Sequence, residues 1–428
     1  MIDRSLLLTD FENTARRLAR KGESRETLEQ ARRFLEERRR LLVDLENGRA
    51  EVNRLSKQVG QLFQQGKKDE AEQQRAAVGV LNERIATLEQ EVAAAESGAD
   101  AILLRIPNLP DDRAPEGTSE ADNVVVRTMN YDAEQYRGRV FRPHWELATA
   151  LGIFDAERAS KLSGSGFALL RGDGARLLRA LVQYGLDLHR EKYVEFVPPH
   201  FVRSETFTGT GHLPKFEADA YRLRDDDLWA IPTGEVPLTG MHRGELFEED
   251  DLPKRYMAYT VCFRREAGSA GKDTRGLQRV HEFHKVELLR ICAPERAEEE
   301  FAALLADAER SVTGLGFPYR VVDLCQADLT FSSSRIFDLE VYAPGVDRWL
   351  EVSSVGLFTD FQARRSNIRF RRKGKKGGTA FPYFLNASAL ATPRMWAAVI
   401  EHGQQPDGSI RVPDALVKYM GTDRIGPP

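Results

Sequence analysis

Two apolar stripes separated by a single turn decide what the first quarter of this chain can become. Over residues 27–65, Leu28, Ala31, Leu35, Leu42, Leu45, Val52 and Val59 recur near three-and-four spacing, with a second row at Leu41, Leu55 and Leu62 as the stripe drifts. Gly66-Lys67-Lys68 breaks the pattern, and Val78, Leu81, Ile85, Leu88, Val92 and Ala95 resume it at alternating three and four, the spacing of a coiled-coil seam. Helices joined by so short a turn must run antiparallel. At about 1.5 Å per residue, roughly 35 residues each way make an arm on the order of 50 Å long. Arg54, Lys57, Lys67, Lys68 and Arg75 gather toward its tip, which suits phosphate contacts; an arm that touches only other proteins is the alternative. Ahead of the arm, residues 1–26 predict a small packed lead-in anchored by Leu6, Leu7, Leu8 and Phe11.

A chain of 428 residues predicts two or three domains with ample core. Its 62 Lys and Arg against 66 Asp and Glu leave a net charge of −4, so RNA binding must come from local basic patches. Cys262, Cys292 and Cys325 form no CxxC pair, which argues against a zinc site or a disulfide framework and fits a reducing cytoplasm. The N-terminus has an apolar run of only three leucines before its charges, so neither a signal peptide nor a membrane span is expected.

Residues 106–126 are rich in Pro and Asp and read as a linker, dividing the chain into an N-terminal domain of 1–105, with its arm at about 27–97, and a body of 127–428. A helix over 175–191 feeds a strand that ends at Pro198-Pro199. From Arg222 onward short strands recur (YRLRDDDLWAIP, RYMAYTVCFRRE, VHEFHKVELLRI, YRVVDLC, FDLEVYAP, WLEVSSVGLF), with helices at 295–315 and near the C-terminus. Strands joined by hairpin turns predict an α+β body with a mainly antiparallel sheet and flanking helices. No GxxxxGK[ST] or GxGxxG follows a strand.

The chemistry concentrates in residues 263–287, FRREAGSAGKDTRGLQRVHEFHKVE. Five Arg and Lys residues ahead of its His-rich end are interrupted by Gly268, Gly271 and Gly276, and β-rich segments flank them, which predicts a hairpin with a long basic loop. Arg264 can fork two donors onto a phosphate, Phe283 can offer a ring face to a base, and Glu266 and Glu287 can accept from an amine. A solvated hairpin is the alternative for such a loop taken alone.

This segment resembles motif 2 of the class II aminoacyl-tRNA synthetases, and REAGSAGKDTRGL is similar to the bacterial seryl-tRNA synthetases in particular; the likeness extends over essentially the whole chain. The resemblance implies a class II antiparallel sheet, a helix–strand–proline unit at the homodimer interface, and an arm that crosses to the tRNA on the partner subunit and reads its long variable arm. It implies a serine site of Thr233, Gly234, Glu235, Arg264, Glu287, Asn386 and Ser388, and an ATP site of Arg264, Arg265, Glu266, Val280, Phe283, Glu351, Val352, Ser353, Ser354 and Arg394. Glu351 and Ser354 would hold Mg²⁺, and Arg264, Glu266 and Arg394 would be catalytic. The implied activity is ATP-dependent serylation of tRNA(Ser), and of tRNA(Sec) where that exists. Read alone, Thr233-Gly234-Glu235 is a surface loop and Glu287 an outward strand carboxylate.

Three places depart from the family pattern. Gly234 replaces Ala or Ser, with a loosened loop as the expected effect. Val355-Gly356 replaces Cys-Ser, and Ala387, Ala389 and Pro393 replace three glycines of motif 3. All five of these later positions are expected to border one ligand. They keep open a duplicated paralogue, either specialised (inhibitor-tolerant or supplying seryl-tRNA to biosynthesis) or catalytically weakened and tRNA-binding. An amino-acid:carrier-protein ligase is disfavoured, since it has little use for the arm.

Overall fold

The computed structural model describes residues 1–267, 275–374 and 378–426, and the chain divides into two compact units, residues 2–107 and 108–428. The first holds α1 (Arg4–Thr9), α2 (Phe11–Ala19), α3 (Arg25–Gln64) and α4 (Lys68–Leu103). Ser24 starts α3 by accepting from Thr27 N at 3.1 Å, satisfying one of the orphan donors of the first turn. Gly66, at φ +77°, makes the turn to α4. The seam closes through Leu41, Leu45, Leu88 and Ala95, with Ile85 and Val92 beside them. Leu41 rather than Leu42 takes the buried place, because the stripe has drifted by that point in α3. Toward the turn Val52, Val59, Leu62, Val78 and Leu81 are only half-buried, since two helices alone leave each seam residue open at its flanks.

The second unit is built on an eight-stranded sheet: β1 (Val124–Met129), β2 (Val194–Phe196), β3 (Lys254–Phe263), β4 (Glu282–Cys292), β5 (Tyr319–Asp323), β6 (Arg335–Ala343), β7 (Arg348–Thr359) and β8 (Tyr383–Ala391). The order is β1-β5-β6-β7-β8-β4-β3-β2, antiparallel throughout except that β2 runs parallel to β3. The α+β reading stands, with one face of the sheet covered by α5 (Asp173–His189), α6 (Ala297–Thr313) and α7 (Thr392–Gly403). There Leu177, Leu181, Phe301, Leu304, Met395 and Trp396 pack on Val286, Leu288, Val355, Leu357, Leu385 and Ala387.

Between sheet and α6 lies a buried ionic network. Arg290, 2% exposed, donates to Glu300 Oε2 at 2.7 Å, Asp307 Oδ2 at 2.5 Å and Tyr193 Oη at 2.7 Å. Full pairing of this kind is what makes a buried guanidinium tolerable.

The segment read as a linker is partly built into the second unit: Asn108 N donates to Phe331 O and Asp111 N to Ser334 O, each at 2.8 Å, and β1 begins at Val124. The expected strand at 221–232 shrinks to Trp229–Ala230 with a bridge to Arg222. β8, central in the sheet, is a strand that the sequence pattern does not announce. Gly268 and Gly271 of the basic loop lie outside the described residues. Among the described residues no helix is long and apolar enough to cross a membrane, and the three cysteines are buried and unpaired.

A candidate active site on one face of the sheet

Side chains of a strand alternate between faces, so the face opposite α5, α6 and α7 carries every second residue of β3, β4, β7 and β8. On β4 these are Phe283, Lys285 and Glu287. Register sets Glu287 against Ser388 of β8 and against Ala258 of β3, and Lys285 against Thr260.

Above them passes the turn Thr233-Gly234, which leads into the short helix Glu235–Gly240. Thr233 is the hub: it accepts from Lys285 Nζ at 2.8 Å and from Glu235 N at 3.2 Å, and donates its one proton to Glu287 Oε2 at 2.8 Å. Lys285 also pairs directly with Glu287. Gln362 donates to Glu235 Oε1. Thr233, Glu235, Lys285, Glu287, Asn386 and Ser388 are all buried. Burial, then the nearby charge of Glu287, pushes the Glu235 carboxyl up to about 7. With Glu235 ionised, two carboxylates face one ammonium, an imbalance that suits the pocket to a second ammonium group.

Gly234 does not loosen this turn. It sits at φ −63°, and a Cβ there would lie 3.1 Å from Glu287 Cβ and 3.2 Å from Thr260 Oγ1, so its absence lets the turn close on the strand.

Along the same face, the Arg264 guanidinium lies 5.0 Å over the Phe283 ring. Arg264 N donates to His281 O at 2.9 Å, and Arg265 N to Asp219 O at 2.9 Å, so both ends of the basic loop are tied down. Glu266, at φ +52°, pairs with Arg279 at 2.7 Å. The side chain of Val280 is buried in the core, leaving its backbone for any ligand.

β7 carries a bulge between Glu351 and Ser353. Glu351 stands opposite Glu340 and Ser354 opposite Asp338, and Asp338 and Glu340 share a face of β6, so the bulge brings Glu351 and Ser354 onto one side. Val352 points into the core instead, and Ser353 donates its hydroxyl to Ser388 O at 2.6 Å, so neither side chain is free for a ligand. Arg394, at the start of α7, donates to Glu351 O at 2.7 Å, Glu351 Oε2 at 3.3 Å and Gln278 O at 3.2 Å.

The five departures do not line one ligand. Val355, Ala387 and Ala389 are buried in the core cluster under α5, α6 and α7, on the far side of the sheet, because alternation turns them away from Ser354, Asn386 and Ser388. None of the three replaced glycines of motif 3 has a positive φ here, and Pro393 occupies the first turn of α7, where a missing N–H costs nothing. Only Gly356 shares the site face, opposite Asn386.

Sequence reasoning missed Lys285, Gln362 and His212. Lys285 was legible, being two residues before Glu287 on a strand. Gln362 reaches the pocket from an element with no local signal; His212 bonds to Thr210, and burial, with Arg264 and Lys285 nearby, lowers it to about 3 and keeps its ring neutral.

An antiparallel sheet carrying a tethered basic loop, a buried polar pocket and an arginine at a helix start defines a class II aminoacyl-tRNA synthetase core. The family model "tRNA synthetase class II core domain (G, H, P, S and T)" matches residues 215–403, and "Seryl-tRNA synthetase N-terminal domain" matches residues 1–110. The chain is 46% identical over 431 residues to a serine–tRNA ligase of Synechococcus sp. (strain RCC307), covering 100% of both, and 44% identical to that of Pelobacter propionicus, covering 98% of this chain and 99% of the relative. In structure it is similar to seryl-tRNA synthetase from Pyrococcus horikoshii complexed with ATP (TM-score 0.93, 34% identity, 100% of both chains). It is also similar to the cytoplasmic serine–tRNA ligase from Naegleria fowleri in complex with AMP (TM-score 0.87, 26% identity, 100% of this chain and 99% of that one). The chain belongs to the seryl-tRNA synthetase family.

Proposed function

We propose that this protein is an ATP-dependent serine–tRNA ligase, and the observation that carries the reading is the buried Thr233–Glu287–Lys285 cluster beside Glu235. An ammonium supplies the missing positive charge between Glu235 and Glu287, and Glu287 accepts from the serine hydroxyl. Alanine offers Glu287 no such donor, which supports discrimination on the order of 10⁴-fold without editing. Asn386 and Ser388 complete the pocket.

Arg264 bridges the serine carboxylate and the α-phosphate. A carboxylate oxygen attacks phosphorus, the bond to the bridging oxygen breaks, and pyrophosphate leaves; the tRNA 3′-terminal hydroxyl then takes the seryl group and AMP departs. No protein nucleophile is needed, and catalysis is positioning and charge stabilisation. Adenine lies on Phe283, with Glu266, Arg265 and the backbone at Val280 at its edge and the backbone of Val352 and Ser353 nearby, and Arg394 takes the γ-phosphate. Glu351 and Ser354 are suited to Mg²⁺: the donors are oxygens, and Asp338 Oδ1, shut off from solvent, has no hydrogen-bond partner among the described residues. When bound, Mg²⁺ supplies neutralising charge for the phosphates.

Residues 1–105 form the tRNA-binding domain and 127–428 the catalytic domain, joined through 106–126. Arg54, Lys57, Lys67, Lys68 and Arg75 are exposed near the arm's tip, and the Arg54–Glu51 and Lys67–Glu70 pairs are surface pairs that phosphates displace cheaply. Two copies pair beside α5 and β2, where Val194, Val197 and Phe201 are exposed, and each arm serves the tRNA of the other copy. The compartment is the cytoplasm.

ATP–pyrophosphate exchange with serine, alanine, threonine or no amino acid tests the reading. Serine-dependent exchange supports it; no exchange at saturating ATP and Mg²⁺, with salt-sensitive tRNA binding retained, replaces it with a tRNA-binding paralogue.

A further inference from the structure

The returning end of the basic loop rests on a buried relay that the roles assigned above do not use. Glu401, on α7 and fully buried, accepts from His144 Nδ1 at 2.8 Å and His144 N at 3.0 Å through Oε1, and from Gly345 N at 2.8 Å through Oε2. On the other side of the ring, His144 Nε2 accepts from Leu277 N at 3.0 Å. A carboxylate on Nδ1 and an amide N–H on Nε2 fix one tautomer, with the proton on Nδ1. His144 is 1% exposed, so water cannot substitute for either partner.

The next residue along is the functional one. Gln278 O accepts from Arg394 Nε at 3.2 Å, while Glu351 O accepts from Nη1 at 2.7 Å. Two carbonyls on different elements thereby set the plane of the guanidinium, and one of them is placed by the imidazole. Gly276 makes the contact close: at φ +65°, it packs so that a Cβ would lie 2.2 Å from His144 Nε2 and 2.9 Å from the Trp145 ring.

We propose that His144, oriented by Glu401, is a positioning residue for ATP: it fixes the Gln278 carbonyl and so holds Arg394 toward the terminal phosphate. This rests on the γ-phosphate role proposed for Arg394. His144→Phe keeps the ring's bulk and removes both partners. In the full chain it raises the ATP KM of serine-dependent exchange roughly three- to tenfold, the worth of one lost hydrogen bond, and leaves serine KM and AMP affinity unchanged. His144→Gln, whose Oε1 can take the Leu277 N–H, restores most of the ATP affinity. Gly276→Ala, which pushes the imidazole off its partner, reproduces the His144→Phe effect and carries the test if that variant does not fold. Loss of ATP and AMP affinity together, or no recovery in folded His144→Gln, overturns the proposal. Arg394→Ala separates the two readings. If it weakens ATP selectively while the His144 and Gly276 variants do not, only the positioning role falls; if it weakens AMP equally, the γ-phosphate role falls with it.

Discussion

Ala387 stands directly opposite Val355 across β8 and β7, and both side chains point away from the site into the helix-covered core. Their departure from the family pattern is therefore a matter of packing. Ala387→Gly is expected to lower stability by about 0.5–1 kcal/mol, the usual difference between Gly and Ala inside regular structure, with ATP and serine KM unchanged. Gly356→Ser should change ligand KM as well as lower stability, because its Cβ would come within 2.9 Å of the buried Phe358 ring on the site face. Thermal melts and exchange kinetics on the two variants decide this; altered ligand KM in Ala387→Gly would contradict the assignment of faces.

Glu287→Ala removes the acceptor for Thr233 and the partner of Lys285 at once. Serine KM should rise strongly, and most of a serine-over-alanine preference of roughly 10⁴-fold should disappear. Exchange assays with both amino acids measure it, and an unchanged ratio means that Glu287 does not face the substrate.

Glu235 gives the pocket a pH signature. Its folded-state value of about 7 lies above its ordinary 4.5, so the native state without serine binds the proton more tightly than the unfolded chain. Each tenfold gain in proton affinity is worth about 1.4 kcal/mol, which makes the resulting stabilisation roughly 3 kcal/mol. It is fully present below pH 4.5 and lost as pH rises through about 7. Serine binding runs the other way, tightening as pH rises through that value, because the ammonium favours the ionised carboxylate. Glu235→Gln should flatten both trends in melting and titration experiments; if the wild-type curves are already flat, Glu235 is not the group involved.

Arg290→Met should cost about 3–5 kcal/mol, because it strands Glu300 and Asp307 as buried carboxylates with their shared guanidinium gone. Urea denaturation measures the loss. A change under about 1 kcal/mol, the range of surface pairs, would show that Lys192 and Arg255 suffice to neutralise the network.

Replacing residues 30–95 with a short linker should abolish serine transfer to tRNA while sparing serine-dependent pyrophosphate exchange, since no pocket residue lies in the arm. Equal loss of both activities in a folded deletion would sink this division of labour.

The arm was legible because its signal is local and repeated: seam spacing and a glycine turn specify α3 and α4 with little outside help. The strands of the basic hairpin were legible for the same reason, being β-branched and aromatic on both sides of the loop. β8 was not. Its sequence YFLNASALA holds few strand formers, and it is a strand because β4 and β7 pair with it on either side. Likewise, Thr233, Glu287 and Asn386 could be named from motifs, but the faces of Val355, Ala387 and Ala389 depend on register. The β7 bulge is a one-residue event with no composition of its own.

That bulge has a consequence for how the chain tolerates change. A regular strand would send residues three apart to opposite sides, so one inserted backbone unit acts as a phase shifter that puts Glu351 and Ser354 in step. Removing Val352 would leave every functional atom in the gene product yet turn one of the pair into the core. In this stretch the length of the chain between two side chains is itself part of the active-site chemistry, and a substitution there is safer than a deletion.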